Sequence, residues 1–167
     1  MTAMSMEEQK RIQLDRMRYT KNTFSSRLTL LAIFFDVLYF VSIYEADVGS
    51  WYYQILIGAS IVYNLLFMLL AFLASEGVKN YKKSYAYMLL ALAAGQIVRI
   101  FILPVRAFQS VVTIKKVDYP VMDQAQFVYV VACLCLSAAC CLIAGVVGVI
   151  RSSKLAQYNA SLEKKAA

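Results

Sequence analysis

The chain has 167 residues, of which 61% are hydrophobic and only 16% charged, with a formal net charge of +7. A soluble domain is about 45–50% apolar and about 25% charged, so this composition excludes an ordinary water-soluble globule and predicts an integral membrane protein. The chain also lacks histidine, which removes the commonest general base and the commonest neutral metal ligand.

Residues 1–26 form a basic arm that we expect to lie in the cytoplasm. Ser5 and Glu8 have the spacing of a capping box, which predicts that a helix starts here. A basic residue near an anionic leaflet contributes about 1 kcal/mol of binding free energy. Attraction to anionic lipid headgroups therefore accounts for the positive charge, and no nucleic-acid partner is needed. A helix that docks on a protein partner is the alternative.

Four stretches are long enough to cross a hydrocarbon core of about 30 Å, which takes about 20 apolar helical residues. They occupy residues 27–44, 53–74, 85–104 and 127–150. Their hydrophobicity is continuous and lacks the alternation of a transmembrane β-strand. We therefore predict an all-α membrane protein, a four-transmembrane-helix bundle formed by residues 27–150, with a short tail at residues 151–167.

The distribution of Lys and Arg orients this bundle. The N-terminal arm with Arg27, the second connection and the tail carry 13 basic residues, whereas the first and third connections carry three. Because positively charged segments stay in the cytoplasm, we expect both termini to be cytoplasmic. The compact connections favour a multi-pass protein of the cell membrane, and a bacterial inner membrane in particular.

The third connection, residues 105–126, is the longest. The segment from Ser110 to Ile114 favours a β-conformation, and the tight connections of a simple four-helix protein are shorter than this. We expect this connection either to lie on the outer surface as an interfacial segment or to cap the bundle.

Four polar residues inside the spans are the candidate binding residues: Asp36, Asn64, Gln96 and Arg99. A central Asp or Arg disfavours membrane insertion by about 2.5–3.5 kcal/mol, so these side chains should face the bundle interior and find partners. They either satisfy one another and fix the helix register, or form a polar site for a ligand, an ion or a proton.

Asp36 and Arg99 are the only oppositely charged residues within the spans, which suggests a buried ion pair or a relay through Asn64 and Gln96. Counted from the predicted starts of their spans, at residues 27 and 85, their depths differ by about 8 Å at 1.5 Å per residue. A long Arg side chain and helix tilt can bridge that difference.

The fourth span carries a stripe of small residues four apart: Cys133, Ser137, Cys141 and Gly145. Small side chains let helices approach closely, so this stripe predicts a helix–helix contact, either internal or between protomers. All four cysteines of the chain lie in this span without a CxxC motif. We therefore expect no structural disulfide, no metal site and no cofactor.

Asp36 is similar to the membrane-embedded carboxylate in the first span of small multidrug-resistance transporters. The 22-residue third connection and the strong charge bias of this chain depart from that family. The CxxC of four-helix quinone-linked thiol oxidoreductases is absent from the sequence. The resemblance therefore covers one residue and the number of spans.

Two functions fit these features. The first is a non-catalytic accessory or assembly subunit, which contacts a membrane-protein partner or a second copy of the chain through its helices. The alternative is a small oligomeric transporter or channel that uses the intramembrane polar cluster. An enzyme is not expected, because no nucleophile is paired with a base and the sequence offers no catalytic residues.

Overall fold

The computed structural model describes residues 6–43, 51–114 and 117–166, without the side chains of residues 51–54, 56, 57, 112–119, 165 and 166. The first connection, residues 45–52, thus lies mostly outside the described residues. The elements follow in the order α1 (Met6–Tyr19), α2 (Thr23–Ile43), α3 (Trp51–Lys79), α4 (Lys83–Ile102), α5 (Pro104–Phe108), β1 (Val111–Ile114), β2 (Val117–Pro120) and α6 (Gln124–Ala166).

Four of these helices, α2, α3, α4 and α6, are long and apolar enough to cross a membrane. Their outward faces carry large hydrophobic side chains: Phe34, Val62 and Phe101 are each more than half exposed. A soluble bundle would place such side chains in its core, whereas lipid tails solvate them well. The predicted helical bundle with four candidate spans is confirmed.

The helices extend beyond the predicted spans. The helix α2 begins four residues before Arg27, and α3 continues five residues past Ala74. The helix α4 ends at Ile102 because Pro104 lacks a backbone N–H and disfavours helical conformation in the residue before it. Pro104 instead starts the short helix α5, at a position where a missing N–H costs nothing.

The third connection contains α5 and a β-hairpin, and its residues on either side of the hairpin pack on the bundle. Strands β1 and β2 pair in antiparallel fashion, with Val111 opposite Pro120. Directly after β2, the side chains of Val121 and Met122 are buried with Leu103 and Ala107 in one apolar cluster. This end of the molecule is called the hairpin end below.

The fourth long helix, α6, packs against both α2 and α4. At Gly145, an added Cβ would lie 2.8 Å from Leu90 Cδ2 and 3.1 Å from the carbonyl oxygen of Ala86. Only glycine fits this close approach, which brings the backbones of α4 and α6 together. The contact made by the small-residue stripe is therefore internal to the chain.

The opposite end of the molecule, called the α1 end below, carries α1 and the last part of α6. The tail is not a separate segment, because α6 runs unbroken from Gln124 to Ala166. The predicted helix in the N-terminal arm is present as α1, and its proposed cap, Ser5, lies outside the described residues. Tyr158 donates a hydrogen bond of 2.8 Å to Asp15 Oδ1 and so ties α6 to α1.

Candidate functional site

An ion pair lies in the middle of the bundle. Asp36 on α2 is fully buried, Arg99 on α4 is 4% exposed, and Arg99 Nη1 lies 3.0 Å from Asp36 Oδ1. The pair that the sequence suggests is therefore present. Asp36 lies 13 residues into α2 and Arg99 lies 16 residues into α4, a depth difference of about 4.5 Å at 1.5 Å per residue. The sequence estimate of about 8 Å was too large, because α2 begins four residues before its predicted span and α4 only two residues before its own.

Gln96 extends the ion pair to the fourth long helix. Its Nε2 donates a hydrogen bond of 2.8 Å to Asp36 Oδ1 and lies 3.4 Å from Ser137 Oγ. Ser137 in turn donates to the carbonyl oxygen of Ala32 at 2.9 Å. The polar contacts therefore connect α2, α4 and α6 at one level of the bundle.

Arg99 is held from two further sides. Its Nη2 donates to Ser60 Oγ on α3 at 3.1 Å. The guanidinium carbon lies 4.2 Å from the ring centre of Tyr39 and 5.0 Å from that of Tyr63. Aromatic rings attract a desolvated guanidinium, by roughly 2 kcal/mol or more. A counter-ion, a hydroxyl group and two rings thus fix the orientation of the cation.

Asn64 is fully buried on α3, but it does not join the hydrogen-bonded relay. Within the described part of the chain, neither polar atom of its side chain has a hydrogen-bond partner, and the same holds for Asp36 Oδ2, Gln96 Oε1 and Arg99 Nε. A buried polar group without a partner costs about 1–3 kcal/mol. This polar layer therefore retains unsatisfied hydrogen-bonding capacity.

Apolar clusters flank the polar layer on both sides. Toward the hairpin end lie residues that include Tyr39, Leu103 and Leu134. Toward the α1 end lie residues that include Ala32 and Ala93. On α2, Asp36 falls between a residue of one cluster and a residue of the other. This arrangement covers the polar layer with apolar residues of α2, α4 and α6 toward both ends of the described bundle.

A pocket leads to the ion pair from the side of the bundle. It has a volume of about 360 Å³ and is lined by residues of α3, of α4 and of the position directly after α4: Ala59, Ser60, Tyr63, Gly95, Val98, Arg99, Ile102 and Leu103. Val98 and Ile102 are exposed on the outside of the bundle, whereas Arg99 is buried. The pocket therefore runs from the apolar outer surface of the bundle to Arg99.

The predicted packing residues lie elsewhere. Cys133, Ser137 and Cys141 are all buried with Gly145 on the inward side of α6. Ser137 has a second role, since it bonds to Ala32 and lies near Gln96. All four cysteines are free thiols, and Cys135 alone among them is exposed.

Sequence reasoning missed three residues of the site: Ser60, Tyr39 and Tyr63. A spacing signal for them exists. Ser60 precedes Asn64 by four residues and Tyr39 follows Asp36 by three, which places each on the same helix face as a predicted site residue. Hydroxyl and aromatic groups are common in transmembrane helices. The spacing alone therefore does not identify site residues unless the residues of the facing helix are known.

These features define a helical bundle with a charged centre, whose four long apolar helices are compatible with a multi-pass membrane protein. Comparison of the chain with models of known protein families, with curated proteins and with solved structures finds no match.

Proposed function

We propose that this protein is a non-catalytic membrane protein that binds a small amphipathic molecule at Arg99, taken up from the lipid between α3 and α4. The observation that carries this proposal is the pocket whose outer wall is apolar and whose inner end is Arg99 beside Ser60. Its volume falls in the lower part of the range for ligand pockets, about 300–1,000 Å³. The apolar wall of the pocket can pack against a hydrocarbon chain or an aromatic ring of the ligand.

The charges select the head of the ligand. Asp36 already neutralises Arg99 at 3.0 Å, so an additional anion would be unfavourable in a low-dielectric site. Arg99 lines the pocket, and its guanidinium group carries only hydrogen-bond donors. A neutral head with a carbonyl oxygen, such as an amide, an ester or a ketone, matches these donors without disturbing the charge balance.

A fluorescent ketone tests this site. Prodan, a neutral naphthyl ketone whose emission reports its surroundings, is titrated into the purified protein in detergent. We expect saturable binding that Ala59→Phe weakens by at least about tenfold, because the new ring fills the pocket without touching the ion pair. Val62→Phe is the matched control, since Val62 is exposed on the same helix outside the pocket.

Competition then tests the head group. Dodecanamide is expected to displace prodan at a lower concentration than dodecanoate at pH 8. Absence of saturable binding, or equal loss in Ala59→Phe and Val62→Phe, contradicts the proposal. Stronger competition by dodecanoate contradicts the assignment of a neutral head.

The two apolar clusters around the polar layer favour a carrier over an open channel, because an open channel needs a continuous wet path. In proteoliposomes, flux of any solute that depends on the wild-type protein is expected to fall to the level of empty liposomes in Asp36→Asn and in Arg99→Gln. Flux that survives both substitutions contradicts a transport role for this site.

An accessory or assembly role is the second candidate, and one observation favours it: α1 has no buried residue. Most side chains of α1 are exposed, with Leu14 and Met17 half-buried, so its outer face is available to a partner protein or to a second copy of the chain. Arg11→Glu with Arg18→Glu, on α1, is expected to abolish a stable complex purified in mild detergent. A wild-type chain that purifies as a lone monomer contradicts this role.

A further inference from the structure

A second cavity lies at the α1 end of the molecule, between α1, the turn after α3 and the last part of α6. Its volume is about 960 Å³. Five basic residues line it: Lys10, Arg16, Lys21, Arg151 and Lys154. No Asp or Glu is among the described residues that line it. This cavity is called the basic cleft.

The floor of the basic cleft is ordered by specific bonds. Arg151 Nη1 donates a hydrogen bond of 2.8 Å to Asn22 Oδ1. Asn22 is 1% exposed, and its backbone N–H donates to the carbonyl oxygen of Lys79 at 2.9 Å. Because a guanidinium carries five N–H donors, this bond fixes the position of Arg151 and leaves it able to bind an anion.

The outer wall of the basic cleft is α1. Its position over α6 is held by the hydrogen bond between Asp15 and Tyr158. Leu14 and Met17 on the same helix are half-buried and line the cleft. The cleft is therefore formed by packed elements, and its basic side chains come from α1, α6 and the segment before α2.

The basic cleft also lies at the end of the apolar part of α6, which is where a membrane surface is expected if α6 spans a bilayer. Arg151 directly follows the apolar part of α6, whose last residue, Ile150, is exposed on the outside of the bundle. Five cations around one cavity repel one another unless an anion neutralises them. At a bilayer surface, the anion that lysine and arginine side chains bind in this way is the phosphate group.

We propose that the basic cleft is a binding site for a phosphate-bearing anion, supplied either by a phosphorylated lipid headgroup or by a small soluble phosphate compound. The sequence predicts only a general attraction between the N-terminal arm and anionic lipid. The structure joins that arm to α6 around one cavity, which gives the attraction a defined site. This inference is independent of the ligand proposed at Arg99.

Two variants of the full chain with equal loss of charge test the site. Lys10→Gln, Arg16→Gln and Lys154→Gln together remove three cations from the cleft. Arg11→Gln, Arg18→Gln and Lys164→Gln remove three cations from the same two helices outside it. Exposed side chains are changed in both variants, and thermal unfolding in detergent verifies that both remain folded.

Binding is measured by calorimetry in detergent with two probes, dioctanoyl phosphatidic acid and pyrophosphate. We expect the wild-type chain to bind one or both probes, the cleft variant to bind at least about tenfold more weakly, and the control variant to change by less than about threefold.

The two probes identify the source of the phosphate. Binding of dioctanoyl phosphatidic acid alone assigns a lipid headgroup, binding of pyrophosphate alone assigns a soluble compound, and binding of both assigns the phosphate group itself. No binding of either probe to the wild-type chain overturns the proposal. An equal loss of affinity in the two variants also overturns it, because that result indicates diffuse attraction to a basic surface.

Discussion

Asp36 and Arg99, 63 residues apart in the chain, form an ion pair of 3.0 Å in the middle of the helical bundle. Each residue lies on a different helix, and Gln96 contacts the same carboxylate oxygen that binds the guanidinium. Removal of one partner of a buried pair leaves an uncompensated charge, which costs about 3–5 kcal/mol. Substitution of either residue alone should therefore destabilise the bundle by more than half of what substitution of both residues costs.

The first prediction concerns this coupling. Asp36→Asn alone and Arg99→Gln alone are each expected to lower the free energy of unfolding by about 3 kcal/mol, whereas the double variant should lose less than the sum of the two. Chemical denaturation in detergent measures the four states of this double-mutant cycle.

The charge exchange Asp36→Arg with Arg99→Asp is a second check on the pair. It should recover part of the stability that Asp36→Arg alone loses. Strictly additive single effects, together with no recovery on exchange, would show that the pair does not act as a unit.

The second prediction concerns the contact between α4 and α6. Gly145→Val is expected to destabilise the bundle by about 1–3 kcal/mol, because the new side chain overlaps Leu90 and the carbonyl oxygen of Ala86. Gly58→Val is the control, since a Cβ at Gly58 would meet no atom of the described residues within 4 Å. Thermal unfolding of both variants compares them, and equal effects would exclude a close helix approach at Gly145.

The third prediction concerns the turn between α3 and α4. Tyr81 has φ 56°, a left-handed conformation that favours glycine. Lys82 N donates to the Gly77 carbonyl oxygen and Tyr81 N donates to that of Val78, the pattern of a Schellman cap in which glycine is usual at the position of Tyr81.

Tyr81→Gly should therefore raise the free energy of unfolding by about 0.4–1 kcal/mol. Tyr81→Ala removes the same ring without relieving the backbone and should give no such gain. Denaturation curves of the two variants separate the effects, and equal stability of both variants would refute the backbone explanation.

The fourth prediction concerns orientation, for which the charge distribution is the argument. A cysteine introduced at Gln109, at the hairpin end, should react with a membrane-impermeant maleimide on intact cells. A cysteine at Ala160, on α6, should react only after the cells are permeabilised. The wild-type chain is the control, because its four cysteines lie in the apolar part of α6. The reverse labelling pattern would show that the termini lie outside the cell and would contradict the predicted topology.

Much of the architecture could be predicted from the sequence, because lipid imposes simple requirements. About 20 continuous apolar residues identify a span, and the cost of a buried charge points Asp36 and Arg99 toward each other. The break near Pro104 and the β-capable segment after Ser110 are also visible in the sequence, since both depend on local backbone preferences.

The rest depends on contacts between helices, which a single sequence does not specify. Ser60 bonds to Arg99, whereas Asn64, one helical turn away, has no hydrogen-bond partner among the described residues. The two residues share a helix face but lie about 6 Å apart along the axis, so the difference comes from the axial position of α3 beside α4, which is set by packing rather than by hydrophobicity. The basic cleft likewise requires α1 to fold back beside α6, and no periodicity in α1 predicts that contact.

Photo-crosslinking in the native membrane tests the central claim, that a lipid-facing pocket delivers a neutral carbonyl compound to Arg99. A fatty amide that carries a diazirine is activated by light, and its adducts are mapped by mass spectrometry. We predict adducts concentrated on residues 59–63 of α3 and 95–103 of α4, which Ala59→Phe abolishes and Val62→Phe retains. Adducts spread evenly over the outward faces of all four long helices, unchanged in Ala59→Phe, would contradict the account.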